Sequence, residues 1–173
     1  QLKSALKSIS KTYGKKVDIF AMDACLMQMA EVVGELKDEA KYIVASEEMI
    51  PGAGYPYDDI LNLMNKTSDI KSVARGMVDV YDSAYSSSKM TAFGRYNDKS
   101  TTLSAVDASK YDEFISAFNR WIEKAINSDD FKTITDKSVT ENAFFFLNGE
   151  QRETIDMGGS MNTQTENIMT RTT

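Results

Sequence analysis

The chain has 173 residues, 42% of them apolar and 27% charged, with 26 acidic side chains against 20 basic ones for a net charge of −6. That is the length of one domain with an ordinary globular composition, which excludes wholesale disorder. The acidic balance argues against a nucleic-acid partner, which calls for a basic surface, and no apolar run approaches the ~20 residues of a membrane helix.

Two counts narrow the chemistry further. One cysteine excludes an intrachain disulfide, and the lack of any histidine excludes an imidazole base or a His-ligated zinc site built from this chain alone. The chain opens on Gln1 without an initiator Met, as a processed or artificially trimmed fragment would.

Leu2, Ala5, Leu6 and Ile9 follow an i, i+3, i+4, i+7 spacing that predicts an amphipathic helix, with Gly14 as its C-terminal stop. Val17 to Met22 is β-branched, aromatic and apolar on both faces, the pattern of a strand buried in a parallel sheet. From Leu26 the period becomes helical, through Met29, Val33, Leu36 and Ala40, and Tyr42 to Ala45 reads as a second buried strand. Residues 17–45 therefore predict a βαβ unit.

Pro51-Gly52-Ala53-Gly54-Tyr55-Pro56 is a turn-rich loop. Tyr57 to Asn65 predicts a short helix with Ile60, Leu61 and Met64 inward and Asp58 and Asp59 in its first turn. Ser68 or Asp69 caps the next helix, whose stripe is Ile70, Val73, Ala74, Met77, Tyr81, Ala84 and Tyr85. Ser86 to Lys99 reads as a polar loop and Thr101 to Val106 as a third strand. Asp107 or Ser109 then caps a helix carrying Tyr111, Phe114, Ile115, Phe118, Ile122 and Ala125. Ala143 to Leu147 is an apolar patch of ambiguous type in an otherwise polar end. Alternating helices and strands predict an α/β architecture. Its three strands make a thin parallel sheet, so the chain supplies part of a larger one.

These elements put Cys25 between the carboxyl end of the first strand and the start of a helix. Open α/β sheets place binding crevices at that edge, and a helix N-terminus favours a thiolate over a thiol. The same free N–H groups can hold an oxyanion. The plainer reading of a lone cysteine is a small buried apolar residue. Asp23, at the strand's mouth, is either a helix N-cap or an anion lining a pocket for a cationic ligand. Glu47 and Glu48 follow the second strand, as solvated surface carboxylates or as a deepening of that acidic pocket. Tyr55 and Tyr57 either wall the pocket or pack the loop.

Val17 to Met27, with Asp23-Ala24-Cys25 at its centre, resembles the catalytic-cysteine segment of the clostripain-like cysteine peptidases. Ile43 to Glu48, Ile50 to Tyr57 and Thr102 to Asp107 resemble the same family in the same order and spacing. Residues 1–127 carry the resemblance, as the cysteine half of the peptidase domain, with 128–173 as a polar extension of it.

The resemblance implies a caspase-like three-layer α/β sandwich, mostly parallel, with helices on both faces, as in gingipains, legumains and caspases. It implies a Cys–His dyad that cleaves after Arg or Lys, with Cys25 as the nucleophile and Asp23 in the pocket for the basic side chain, a pairing strongest when bidentate to Arg. Glu47 and Glu48 would stand at the mouth of that pocket. Many members are secreted or cell-envelope bacterial zymogens that cleave themselves, and several respond to calcium, although the chemistry needs no cofactor and no EF-hand pattern is present. The missing histidine then lies on an upstream fragment of the same precursor, which becomes a partner alongside peptide substrates. A non-catalytic relative that holds basic peptides without cutting them, or an unrelated Cys-dependent acyl transferase, are the competing readings.

Overall fold

A computed structural model describes residues 1–86, 101–133 and the backbone of 169–170. The elements run α1 (Leu2–Tyr13), β1 (Val17–Ala21), α2 (Ala30–Leu36), β2 (Ala40–Ala45), α3 (Tyr57–Lys66), α4 (Ile70–Ser86), β3 (Ser104–Asp107), a short 3-10 turn (Ala108–Lys110), α5 (Tyr111–Ile126) and β4 (Met169–Thr170). The expected loop at 86–99 (beyond Ser86) and the apolar patch at 143–147 lie outside the described residues.

The four strands form one sheet in the order β1-β2-β3-β4. β1 and β2 are parallel, with Ile19 opposite Tyr42 and Ala21 opposite Val44. β3 runs antiparallel to β2, with Val44 opposite Ala105, and β4 antiparallel to β3. The expectation of a mostly parallel sheet is therefore corrected: the sheet is mixed. The cause is the number of helices between strands. A single helix carries the chain from β1 back to the starting edge for β2, but two helices separate β2 from β3. The second ends beside the loop that leaves β2, where the Tyr85 hydroxyl donates to the Gly54 carbonyl at 2.7 Å. A strand starting at that edge can only run backwards.

Helices cover the sheet on both faces. Val44 and Ala105 pack with Tyr55, Ile60, Ala74, Met77, Val78 and Tyr81, which come from α3, α4 and the loop before them. Ile43, Ala45 and Val106 point the other way, onto Leu6 of α1 and Val33 and Leu36 of α2. Ile43, Val44 and Ala45 are fully buried, which is why this segment reads as a continuous apolar run. Full burial of each larger side chain contributes about 1.5–3 kcal/mol.

Local signals set several boundaries. Gly14 closes α1 at φ 71°, a left-handed value that glycine adopts without strain. The Asp69 carboxylate accepts the Ser72 N–H at 3.0 Å and caps α4. Asp107 accepts the Ser109 N–H at 2.9 Å and starts the turn into α5.

The inward face of α3 differs from expectation: Ile60 is buried and Leu63 packs beside it, whereas Leu61 is 58% exposed and Met64 53%. This helix packs against α4 as well as the sheet. At Gly76 a Cβ would lie 2.7 Å from Leu63, so the missing side chain lets the two helices approach. Ala40, expected at the end of the helical stripe, starts β2 instead.

Candidate active site

Because β1 and β2 are parallel, the loops that follow them leave the sheet at the same edge. Residues 22–29 form the first loop and 46–56 the second, and bonds from four backbone N–H groups help to knit them together. The Gln28 N–H donates to the Ser46 carbonyl at 3.0 Å and the Leu26 N–H to the Glu48 carbonyl at 3.1 Å. The Ile50 N–H donates to Cys25 Sγ at 3.3 Å, and the Tyr55 N–H to Asp23 Oδ2 at 3.0 Å. Cys25 and Asp23 are both exposed. The lone cysteine is thus not a buried apolar filler.

The expected helix at Cys25 is displaced. The chain turns at residues 24–26, and α2 starts only at Ala30, with Met29 as its N-cap residue. Leu26 takes φ 61°, the left-handed conformation that a non-glycine residue rarely adopts. Strain of this kind costs of order 1–3 kcal/mol and persists where surrounding contacts enforce it. Here the bond to Glu48 does so. The polar surroundings of Cys25 come from a second loop rather than a helix end, with the Ile50 N–H aimed at the sulfur. The backbone N–H of Cys25 itself donates no hydrogen bond among the described residues.

Asp23 caps no helix. Its Oδ2 accepts the Tyr55 N–H and also the Tyr57 hydroxyl at 2.8 Å. That bond holds the Tyr57 hydroxyl pKa above its ordinary value, because ionisation would set two anions together. Gly54 (φ 68°) lies against the carboxylate, where a Cβ would sit 2.5 Å from Oδ2. Tyr55 does more than pack the loop. Its buried hydroxyl donates to the Met22 carbonyl at 2.8 Å, and burial pushes its pKa up.

The remaining carboxylates are placed differently. Glu47 is half-buried and accepts the Ser104 hydroxyl at 2.7 Å through Oε1. Glu48 is buried, and its N–H donates to Ser46 Oγ at 3.0 Å. Neither is a solvated surface group, and neither stands with Asp23 on the exposed rim. Asp58 and Asp59 are exposed in the first turn of α3.

Two contributors carry little signal in the sequence. Gln28 is 2% exposed, and its Nε2 donates to the Ile43 carbonyl at 3.1 Å and the Ser104 carbonyl at 3.0 Å. The one available signal was a polar residue inside the apolar run from Leu26 to Ala30. Ile50 acts through its backbone, which no side-chain pattern reveals. Among the described residues no group of three or more His, Cys, Asp or Glu side chains converges as a metal site would require.

A family model described as the clostripain family, peptidase C11, matches residues 1–168. The chain belongs to the clostripain family. No curated protein matches it. Among solved C11 proteases, an inactive zymogen from Parabacteroides distasonis is 18% identical at a TM-score of 0.63, over 97% of this chain and 47% of that one. A clostripain from Bacteroides thetaiotaomicron bound to a peptide inhibitor is 23% identical at a TM-score of 0.51, over 84% of this chain and 52% of that one. A B. fragilis cysteine protease is 24% identical at a TM-score of 0.51, over 65% and 44%. These likenesses concern the fold, and the chain spans about half the length of these clostripain-family structures or less. Among the described residues no helix is long and apolar enough to cross a membrane.

Proposed function

We propose that this chain is the cysteine-bearing half of a clostripain-type endopeptidase that cleaves after Lys or Arg, working with a histidine carried on an upstream segment. The observation that carries the reading is the pairing, on one rim, of an exposed thiol and an exposed carboxylate two residues apart, each held by the same neighbouring loop. A peptide inhibitor bound to the B. thetaiotaomicron clostripain supports peptide substrates.

In this scheme Cys25 gives its thiol proton to the histidine and its sulfur attacks the carbonyl carbon after the basic residue. The histidine protonates the leaving amine as the C–N bond breaks, then draws a proton from the water that releases the acid from the acyl-enzyme. The unengaged Cys25 N–H, with a donor from the histidine segment, holds the oxyanion. Asp23 receives the substrate's cation. The net charge of −6 steers cationic peptides inward.

The open edge of the sheet supports the missing half. β1 carries apolar residues on both faces, Ile19 on one and Phe20 on the other, yet it is an edge strand with no strand on its outer side among the described residues. An unpaired edge is a template for another strand, and Leu2 and Ile9 of α1 are also exposed. We assign that edge to the histidine-bearing segment, which would complete a caspase-like three-layer sandwich; residues 128–173 extend the same domain. Secretion or a place in the cell envelope, and a response to calcium, belong to this reading through the family alone.

The test is hydrolysis of Lys and Arg esters by the protein expressed with its upstream segment. Activity that iodoacetamide abolishes and Cys25→Ala lacks supports the reading. Binding of basic peptides without turnover, by the complete precursor, would favour a non-catalytic relative instead.

A further inference from the structure

The acid of the pocket is half spent before substrate arrives. Asp23 Oδ2 already accepts two donors, the Tyr55 N–H at 3.0 Å and the Tyr57 hydroxyl at 2.8 Å. A carboxylate oxygen has two lone pairs, so this one is full, while Oδ1 accepts no hydrogen bond among the described residues. The Tyr55 donor is a backbone amide fixed by the loop, and the Tyr55 ring is buried and anchored on the Met22 carbonyl. Gly54 closes the approach to Oδ2 from its own side. The Tyr57 side chain is exposed, so it alone of these groups is free to be exchanged.

We propose that Tyr57 is the positioning residue that sets the side-chain preference of this site, by occupying one oxygen of Asp23 so that a lysine ammonium is favoured over an arginine guanidinium. The inference rests on the reading of Asp23 as the pocket acid. Arg draws its advantage from a fork that binds both carboxylate oxygens at once. With Oδ2 saturated, the fork finds one oxygen and leaves a donor unmet, and a desolvated unmet donor is costly. An ammonium is a compact charge with rotatable donors and needs only Oδ1. The Tyr57 hydroxyl stays a donor well into alkaline solution because the Asp23 carboxylate beside it opposes its ionisation.

The test uses three matched peptide amides that differ only at the residue before the scissile bond: Lys, Arg and uncharged norleucine. They are compared on the protein with its histidine-bearing segment and on its Tyr57→Phe variant. We expect kcat/KM for Lys to exceed that for Arg by about tenfold. Tyr57→Phe should narrow that ratio by at least about threefold, chiefly through a lower KM for Arg. A purely structural role for Tyr57 would change all three substrates alike and leave the ratio fixed, which would overturn the inference. Equal or better cleavage of Arg by the unaltered protein would overturn it too, while leaving the pocket reading intact. Cleavage of norleucine as fast as Lys would instead remove Asp23 from the pocket, and the inference with it.

Discussion

Gly54 presses its α-carbon against the Asp23 carboxylate so closely that a methyl group there would lie 2.5 Å from Oδ2. The glycine also holds φ 68°, which side chains other than glycine's rarely adopt. Gly54→Ala should therefore cost about 1–3 kcal/mol in urea unfolding. The displaced carboxylate should also lower kcat/KM for basic substrates more than for uncharged ones.

Gln28 ties the Cys25 loop to two strands at once. Replacing it with leucine strands the Ile43 and Ser104 carbonyls, which now accept from its side-chain amide. A loss of about 2–4 kcal/mol is expected, since each orphaned buried group costs about 1–3 kcal/mol. Urea titration gives the value. A change below about 0.5 kcal/mol would show that the clamp carries no energy.

Tyr85 and Tyr55 pin the Pro-Gly loop from below, onto the Gly54 and Met22 carbonyls respectively. Each Tyr→Phe change should cost about 1 kcal/mol. Because Gly54 contacts Asp23, Tyr85→Phe should also raise KM for basic substrates with little change in kcat.

Lys15 and Lys41 hydrogen-bond Asp18 and hold its pKa down, from the ordinary 3.8 to about 2. A carboxyl group whose pKa is depressed by folding adds stability above its unfolded pKa and loses it as pH falls through the folded one. Acid titration between pH ~4 and ~2 should thus show stability falling less steeply in Asp18→Asn than in the parent. Parallel curves would show that the two lysines do not favour the ionised form.

Much of this architecture is legible in the residues. The stripe from Val73 to Tyr85 is buried throughout α4, and Val17 to Ala21 forms the strand its β-branched residues demand. What escapes is whatever the tertiary contacts decide. Leu26 and Met29 fit a helical period, yet bonds from Leu26 to Glu48 and from Gln28 to Ser46 draw that backbone out of a helix. The run from Thr101 to Val106 marks a strand, observed at Ser104–Asp107, but carries no direction, and the direction came from the α3–α4 pair. Cys25 and Asp23 were visible from their position after an apolar strand. The donors that hold them, the Ile50 and Tyr55 amides, are backbone groups that any residue but proline would supply.

The most direct test of the account is peptide mapping after treatment with an acyloxymethyl ketone carrying a lysine side chain, using the protein together with its histidine-bearing segment. A single adduct on Cys25 is expected, slowed at least about tenfold by Asp23→Asn and absent in Cys25→Ala. A protein that still hydrolyses Lys esters with Cys25 unmodified would contradict it.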